Sequence, residues 1–429
     1  MPDSFSIDTA IACVDRTRKS ATGRRWKLAV LNSHPIQYFA PLYRRLAREP
    51  EVDLTVLYCD RGGAFDPSFG KKVVWDVPLL EGYRYRFLAN FRRGGPGGVL
   101  SLINPGIVTT IFRGRYDALW IHSYAHITHA MAIGAAAATG TPLFCRTEAS
   151  LRYDRHVRRS AFIRVVKPVL LRMLMRRLTA ALAIGTDNRE FFLHYGVPPS
   201  RIFPVPYTVD NEYFLTHTAR WRGQRHQVRE SLGIPRQDVV FLFAAKMIPL
   251  KRPRQLVEAF AKSGPPHAAT LLMVGDGPEL RGVQQAASAL NVESKVRFVG
   301  FANQSEMPKY YAISDVMVRP DGIYKGDWGL TVNEAMAAGL AVVASDQIGA
   351  TTDLVKHGVN GVVVPFGHDD ALAGALRDLA RDPVTVREMG LASEKIISTW
   401  SYEECVAGVL AALRALPAAH GSRSPATAP

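Results

Sequence analysis

The chain has 429 residues, 47% hydrophobic and 21% charged, which is more than one domain usually holds and ample for a sizeable core. Its 53 Lys and Arg outnumber 38 Asp and Glu, and the formal net charge of +15 favours anionic partners, whether phosphorylated ligands, nucleic acid or acidic lipid head groups. Four scattered cysteines (Cys13, Cys59, Cys145, Cys405) make no CxxC pair and meet no His at zinc spacing, which argues against a disulfide scaffold or a zinc site and for reduced thiols in a cytoplasm.

Residues 1–25 have early acids and no compact apolar stretch, so they do not read as a signal peptide and are expected to be disordered. No uninterrupted apolar run approaches the roughly 20 residues of a membrane-spanning helix. The first strong strand is residues 27–32 (KLAVLN), followed by a helix with Phe39, Leu42, Leu46 and Ala47 at helical spacing. Strands follow at 52–58 (VDLTVLY), 117–122 (DALWIH), 142–148 (PLFCRTE), 181–186 and 201–207, with an Ala-rich helix at 129–139. A polar, basic stretch at 220–229 reads as a linker leading into a helix. The pattern then restarts: strand 239–246, helix 254–262, strand 270–277 ending in a glycine turn, helix 279–290, strand VRFVGF, helix 306–313, strand DVMVRP, helix 330–338 and strand LAVVAS.

Strands alternating with helices imply parallel sheets of βαβ units, here two doubly wound α/β domains in tandem with a cleft outside their strand ends. The expected domains are 26–212 and 213–400, then a helix at 401–417 crossing back to the first domain and a disordered tail at 418–429.

The most informative segment is 325–345, KGDWGLTVNEAMAAGLAVVAS. A turn at Asp327, Trp328, Gly329 and Leu330 precedes a helix whose first N–H groups suit phosphate, and Glu334 lies about one turn in, within reach of ribose hydroxyls. This segment resembles the signature of family four of the GT-B glycosyltransferases, the large retaining group. Three more segments match it in order: PVPYTVDNEYF (204–214), FAAKMIPLKRP (243–253) and LLMVGDGPELRGVQ (271–284). The likeness runs from about residue 27 to 416 and is strongest over the second domain.

The resemblance implies a GT-B fold, two Rossmann-like domains facing a central cleft, and a nucleotide-sugar donor. It assigns Lys246 and Lys251 to the diphosphate and Glu334 to the ribose. Gly275 falls in the glycine turn, and the base is received near Val299. Trp328, Gly329 and Leu330 complete the donor side. The family's usual earlier glutamate is replaced here by Gly326, so Asp327 beside it or backbone N–H groups are expected to take over the contact to the donor sugar, the alternatives being a different donor or a weak activity. Lys251 and Asp327 join His122 as the catalytic set, because His122 stands where a family histidine contacts the donor sugar.

His126 and His129 are weaker candidates. Ser33, His34 and Gln37 in the first βα loop, and Glu148 after PLFCRTE, face the acceptor or the sugar. The implied reaction retains anomeric configuration, and the leaving phosphate accepts the proton. It needs no cofactor and no metal, the lysines and helix dipole standing in for one. The acceptor would be lipid-linked or a growing polysaccharide, in cell-surface glycan biosynthesis.

Residues 152–177 carry nine Arg or Lys and one acid, Asp154, interleaved with apolar residues. Such a basic amphipathic helix suits an anionic membrane surface, which would make the protein peripheral on the inner face of the cell membrane. Pro168 is expected to kink or split it. Competing readings are a GT-B nucleotide-sugar epimerase and a degenerate binding protein, which Gly326 keeps open. Nucleic acid is not expected, because no recognised motif accompanies the charge.

Overall fold

The computed structural model describes residues 25–62, 65–66, 71–72, 74–92, 98–152, 161–264, 268–322 and 328–417. The expected disordered ends, Asp154, Gly326 and Asp327 lie outside the described residues. Two parallel sheets organise the chain, as expected.

The first contains β1 (Trp26–Asn32), β2 (Val52–Tyr58), β3 (Arg84–Phe87), β4 (Ala118–Ile121), β5 (Leu143–Cys145), β6 (Ala180–Ala183) and β7 (Ile202–Pro204), in the order β3-β2-β1-β4-β5-β6-β7. The second contains β8 (Val239–Ala244), β9 (Ala269–Val274), β10 (Val296–Gly300), β11 (Val316–Arg319), β12 (Ala341–Ser345) and β13 (Gly361–Val364), in the order β10-β9-β8-β11-β12-β13. Leu28 pairs with Leu54 on one side and Ala118 on the other, and Phe241 pairs likewise with Leu271 and Val316. Strand order therefore reverses beside β1 and beside β8, and each reversal opens a crevice at the strands' carboxyl ends. Helices cover both faces of each sheet, which is why β8 and β9 read as unbroken apolar runs.

Two apolar clusters lie on the outer sides of the sheets. A third runs through the domain contact, joining Leu28, Val30 and Trp120 of the first domain to Trp328, Val332, Trp400 and Tyr402. The helix Tyr402–Arg414 starts with a capping box between Ser401 and Glu404 and packs on the first domain. Gly408 makes this approach feasible, since a Cβ there would lie 1.8 Å from the Pro204 carbonyl oxygen. Arg414 pairs with Glu51, and the Tyr402 hydroxyl donates to the Tyr38 carbonyl at 2.7 Å.

Two local expectations differ from what is seen. The stretch at 220–229 is no loose linker: helices Asn211–Arg222 and Arg225–Ser231 occupy it. Arg229 is buried and donates to Asp315 at 2.7 Å and to the carbonyls of Ile313 and Asp238, while Arg225 holds the other Asp315 oxygen at 2.6 Å. Its polarity is that of two arginines holding Asp315, which directly precedes β11, and the carbonyl of Asp238, which directly precedes β8. Helix Ala161–Arg176 also runs through Pro168 as one element, so of the kink or split expected there the split is not seen. Proline deletes one intrahelical hydrogen bond there without ending the helix.

Candidate functional site

Two cavities lie on either side of the turn after β1, which walls both: the larger between the domains, the smaller within the first. The larger, about 340 Å³, is lined from the second domain by Lys246, Gly275, Phe301, Gln304, Thr331 and Glu334, and from the first by Gln37, Tyr38 and Trp75. The smaller, about 150 Å³, sits over the first sheet and is lined by Ser33, Ile36, Phe39, His122, Arg146 and Glu148 among others.

The floor of the larger cavity is glycine by necessity. Gly275 has φ +143° and would place a Cβ 1.9 Å from the Ala245 carbonyl oxygen, and Gly277, at φ +151°, would meet Met247 O at 2.5 Å. Only glycine lets this turn lie against the chain leaving β8. Gly329, at φ +87°, begins the Leu330–Ala337 helix that carries Glu334.

Glu334 is 2% exposed and accepts from Tyr311 at 2.6 Å and, across the domain boundary, from Tyr38 at 2.9 Å. Burial outweighs these hydrogen bonds and pushes its carboxyl up to about 7. A carboxylate has roughly four acceptor positions, so the two tyrosines leave capacity for a ligand hydroxyl.

Close by, Asp321 is fully buried and takes both Arg319 (2.8 and 2.7 Å) and the Lys251 ammonium (2.9 Å). Burial opposes its ionisation, but the two cations prevail and hold its carboxyl down at about 2. Arg319 also donates to Thr331 in the first turn of the Glu334 helix. Lys251 is thus anchored in an ion cluster rather than lining the larger cavity, whereas Lys246 lines it.

In the first domain a relay fixes His122. Asn32 donates to the Tyr43 hydroxyl at 2.9 Å, which leaves the hydroxyl hydrogen to donate to His122 Nε2 at 2.8 Å. The imidazole stacks on Trp120 at 4.9 Å and lies 4.5 Å from Phe39. Burial, then the positive field of Arg146, holds its pKa well below the usual histidine range. The ring is thereby held in its neutral form, with Nε2 engaged by the Tyr43 hydroxyl.

The expected site residues therefore divide. His122, Ser33 and Glu148 meet at the smaller cavity, and Gln37, Lys246, Gly275 and Glu334 at the larger. Val299 and Leu330 line neither, their places taken by Phe301 and Thr331. His34 is exposed and lines neither cavity. Trp328 is a correction. Its ring is buried, stacks on Trp400 at 5.7 Å and donates from Nε1 to Asn333 at 2.9 Å, so it packs the domain contact instead of facing the cleft. Asp327 is outside the described residues.

Sequence reasoning missed Tyr38, Trp75, Arg146, Tyr207 and Tyr311. A signal existed for Arg146, which directly follows β5 at the cleft-facing end of a parallel strand, as His122 directly follows β4.

Comparison with known proteins fits this geometry. Two Rossmann-like domains with a cleft at their facing strand ends define the GT-B fold. HepE from Anabaena, solved in complex with UDP, superposes with a TM-score of 0.68 at 18% identity, over 91% of this chain and 100% of that one. Residues 224–395, within the second domain, match the family described as glycosyl transferases group 1. N-acetyl-alpha-D-glucosaminyl L-malate synthase of Bacillus anthracis is 28% identical over 44% of this chain and 50% of its own length. D-inositol 3-phosphate glycosyltransferase of Kribbella flavida is 30% identical over 54% and 56%. The chain thus spans about half the length of the curated relatives it matches.

Proposed function

We propose that the chain is a retaining hexosyltransferase that moves a hexose from a nucleotide-diphosphate sugar to a lipid-linked or polysaccharide acceptor in cell-surface glycan biosynthesis. The observation that carries this is the 340 Å³ cavity, which sets Lys246, the Gly275 turn and Glu334 against Tyr38 and Trp75 of the other domain. That combination suits a diphosphate, a ribose and a flat base in turn. HepE, of the same architecture, is solved with UDP-glucose as well as UDP.

Charge on the leaving diphosphate would be met by Lys246 and by N–H groups at the start of the Leu330–Ala337 helix, where stabilisation of developing charge is most effective. Arg319, held with Lys251 on the single carboxylate of Asp321, fixes that helix start through Thr331. Neutral His122 would offer Nδ1–H to a sugar hydroxyl rather than a charge. No cofactor enters this reading, and EDTA should leave turnover unchanged.

Membrane docking on the inner face belongs to the same proposal. Val169, Leu170 and Met173 are exposed on the helix that also carries Lys167, Arg172 and Arg176, a face suited to acidic lipid. Arg152 of that stretch is committed elsewhere, donating across the domains to Asp346 O at 2.6 Å and Thr352 at 2.9 Å.

The test is thermal stabilisation by UDP, GDP, ADP and TDP of the full chain and of Lys246→Ala. Stabilisation by one nucleotide, reduced in the variant, is expected and identifies the base. No stabilisation by any of them would overturn the donor reading.

A further inference from the structure

The smaller cavity contains positive charge that the fold leaves unanswered. Arg146 is 3% exposed; its Nη2 donates to the Pro206 carbonyl at 3.1 Å, while Nε and Nη1 have no partner among the described residues. The guanidinium lies 5.2 Å from the Phe39 ring centre and 4.9 Å from that of Tyr207. Ring faces recover only part of what a buried cation loses on leaving water, and buried arginines are ordinarily matched to a carboxylate or phosphate. None is matched to this one among the described residues.

His129 is 1% exposed, and among the described residues neither of its ring nitrogens has a partner, nor has Nδ1 of His126, whose ring centre is 5.4 Å away. Arg146, His126 and His129 line one cavity together with His122. The contrast with Arg229 and Arg319, each bonded to an aspartate, shows that this chain pairs its other buried arginines.

We propose that this cavity takes the acid group, a phosphate monoester or a carboxylate, of the acceptor, so that the sugar is passed to a hydroxyl carried by an acidic molecule. The proposal rests on the transferase reading above and names the acceptor's chemistry. Glu148 lines the same cavity and accepts from the Tyr207 hydroxyl at 2.6 Å, so the walls carry both signs. A hydroxyl-bearing acid answers both, its anion to Arg146 and His129 and its hydroxyl donating to Glu148. A neutral acceptor answers only Glu148.

The cavity, at about 150 Å³, is smaller than the roughly 300–1,000 Å³ that encloses a whole drug-sized ligand, so it holds the acidic end and leaves the rest of the acceptor outside. The unpartnered Arg146 nitrogens are shielded from bulk water, where a charge-assisted hydrogen bond competes least with solvent. Ile36 and Phe39 line this cavity while Gln37 and Tyr38, within the same turn, line the larger one. An acid anchored here is therefore separated from the donor by one turn of backbone.

The experiment is calorimetric titration of the full chain, with and without saturating UDP, using three matched probes: glycerol 3-phosphate, glycerate and glycerol. Binding of at least one acid but not of glycerol is expected, and Arg146→Gln should weaken it by about tenfold or more, as loss of charged hydrogen bonds does, with UDP affinity unchanged. The better of the two acids tells phosphate from carboxylate. Glycerol binding as well as the acids, unchanged acid affinity in Arg146→Gln, or no acid binding (a cavity for water only) would each overturn the proposal. If Arg146→Gln does not fold, His129→Phe is read instead: weakened acid binding supports the proposal and unchanged binding overturns it. A chain that binds the acids but not UDP would sink the donor reading and the acceptor role with it, leaving only the acid-binding cavity standing.

Discussion

The two walls of the cleft handle buried charge in opposite ways. On the second-domain side Asp321 gathers Arg319 and Lys251 into one cluster, and Glu334 has a tyrosine on each oxygen. On the first-domain side Arg146 and His129 lie as deep, yet five nitrogens among Arg146, His126 and His129 have no partner among the described residues. A wall that satisfies itself holds its shape whether or not a ligand is bound, and suits a substrate fragment common to many enzymes. A wall that leaves charge unanswered gains most from a ligand of one particular chemistry, because burying an unpaired charge is costly.

Breaking the self-paired side should give the largest effect. Asp321→Ala would leave Arg319 and Lys251 facing each other without their carboxylate, a change that typically costs about 3–5 kcal/mol. Urea unfolding measures it, and a loss under about 1 kcal/mol would erase the distinction between the walls.

Glu334 gives the next effect, and its sign is fixed. Its folded pKa, about 7, stands above the ordinary glutamate value near 4.5, so the folded state holds the proton more tightly than the unfolded chain. Its contribution to stability is therefore fully present below about pH 4.5 and is lost as pH rises through about 7, on the order of 3 kcal/mol in all. Glu334→Gln should lack this component, so the stability of the wild type relative to the variant should fall between pH 5 and pH 8. Parallel profiles for the two proteins would remove Glu334 as a proton-binding group.

The smallest effect sharpens the first-domain side. Tyr43→Phe leaves His122 Nε2 and the Asn32 amide without their partner, at a cost of about 1–3 kcal/mol. Release of His122 should show as a raised imidazole pKa by NMR titration and a lowered kcat with donor KM unchanged. A change in donor KM alone would place His122 on the nucleotide side instead.

Much of the fold was legible because both sheets are buried on both faces, leaving strands such as VVFLFA as apolar runs between glycine and proline signals. The strand at β3, sequence RYRF, was not legible, because at the sheet edge it is mostly exposed and charged. The amphipathic helix Asp369–Arg381, with Leu372, Leu376 and Leu379 buried, was readable and went unread.

At the site, residues announced by local pattern fell at the cleft: His122 just past β4, the Gly275 turn, and Glu334 in its helix. Residues defined by distant partners did not declare themselves. Lys251 meets Asp321 from 70 positions away, Tyr38 meets Glu334 from 296, and Trp328 is drawn inward by Trp400. Family resemblance carried Lys251 and Trp328 to the ligand, whereas their tertiary partners hold them beside it.

The chain passes between the domains twice, near Thr208 and near Trp400, and the two passages are stitched together. Thr208 Oγ1 donates to the Trp400 carbonyl at 2.6 Å, Trp400 Nε1 donates to Tyr207 O at 2.8 Å, and Asn211 reaches the Ile397 and Trp400 carbonyls. Such a pair behaves like the knuckles of a door. Bending about the line through both leaves these bonds intact, while sliding or twisting one domain against the other would shear them. A swing about that line would open the larger cavity, which both domains line, and carry Tyr38 away from Glu334, while the smaller, lined by the first domain alone, would keep its lining together.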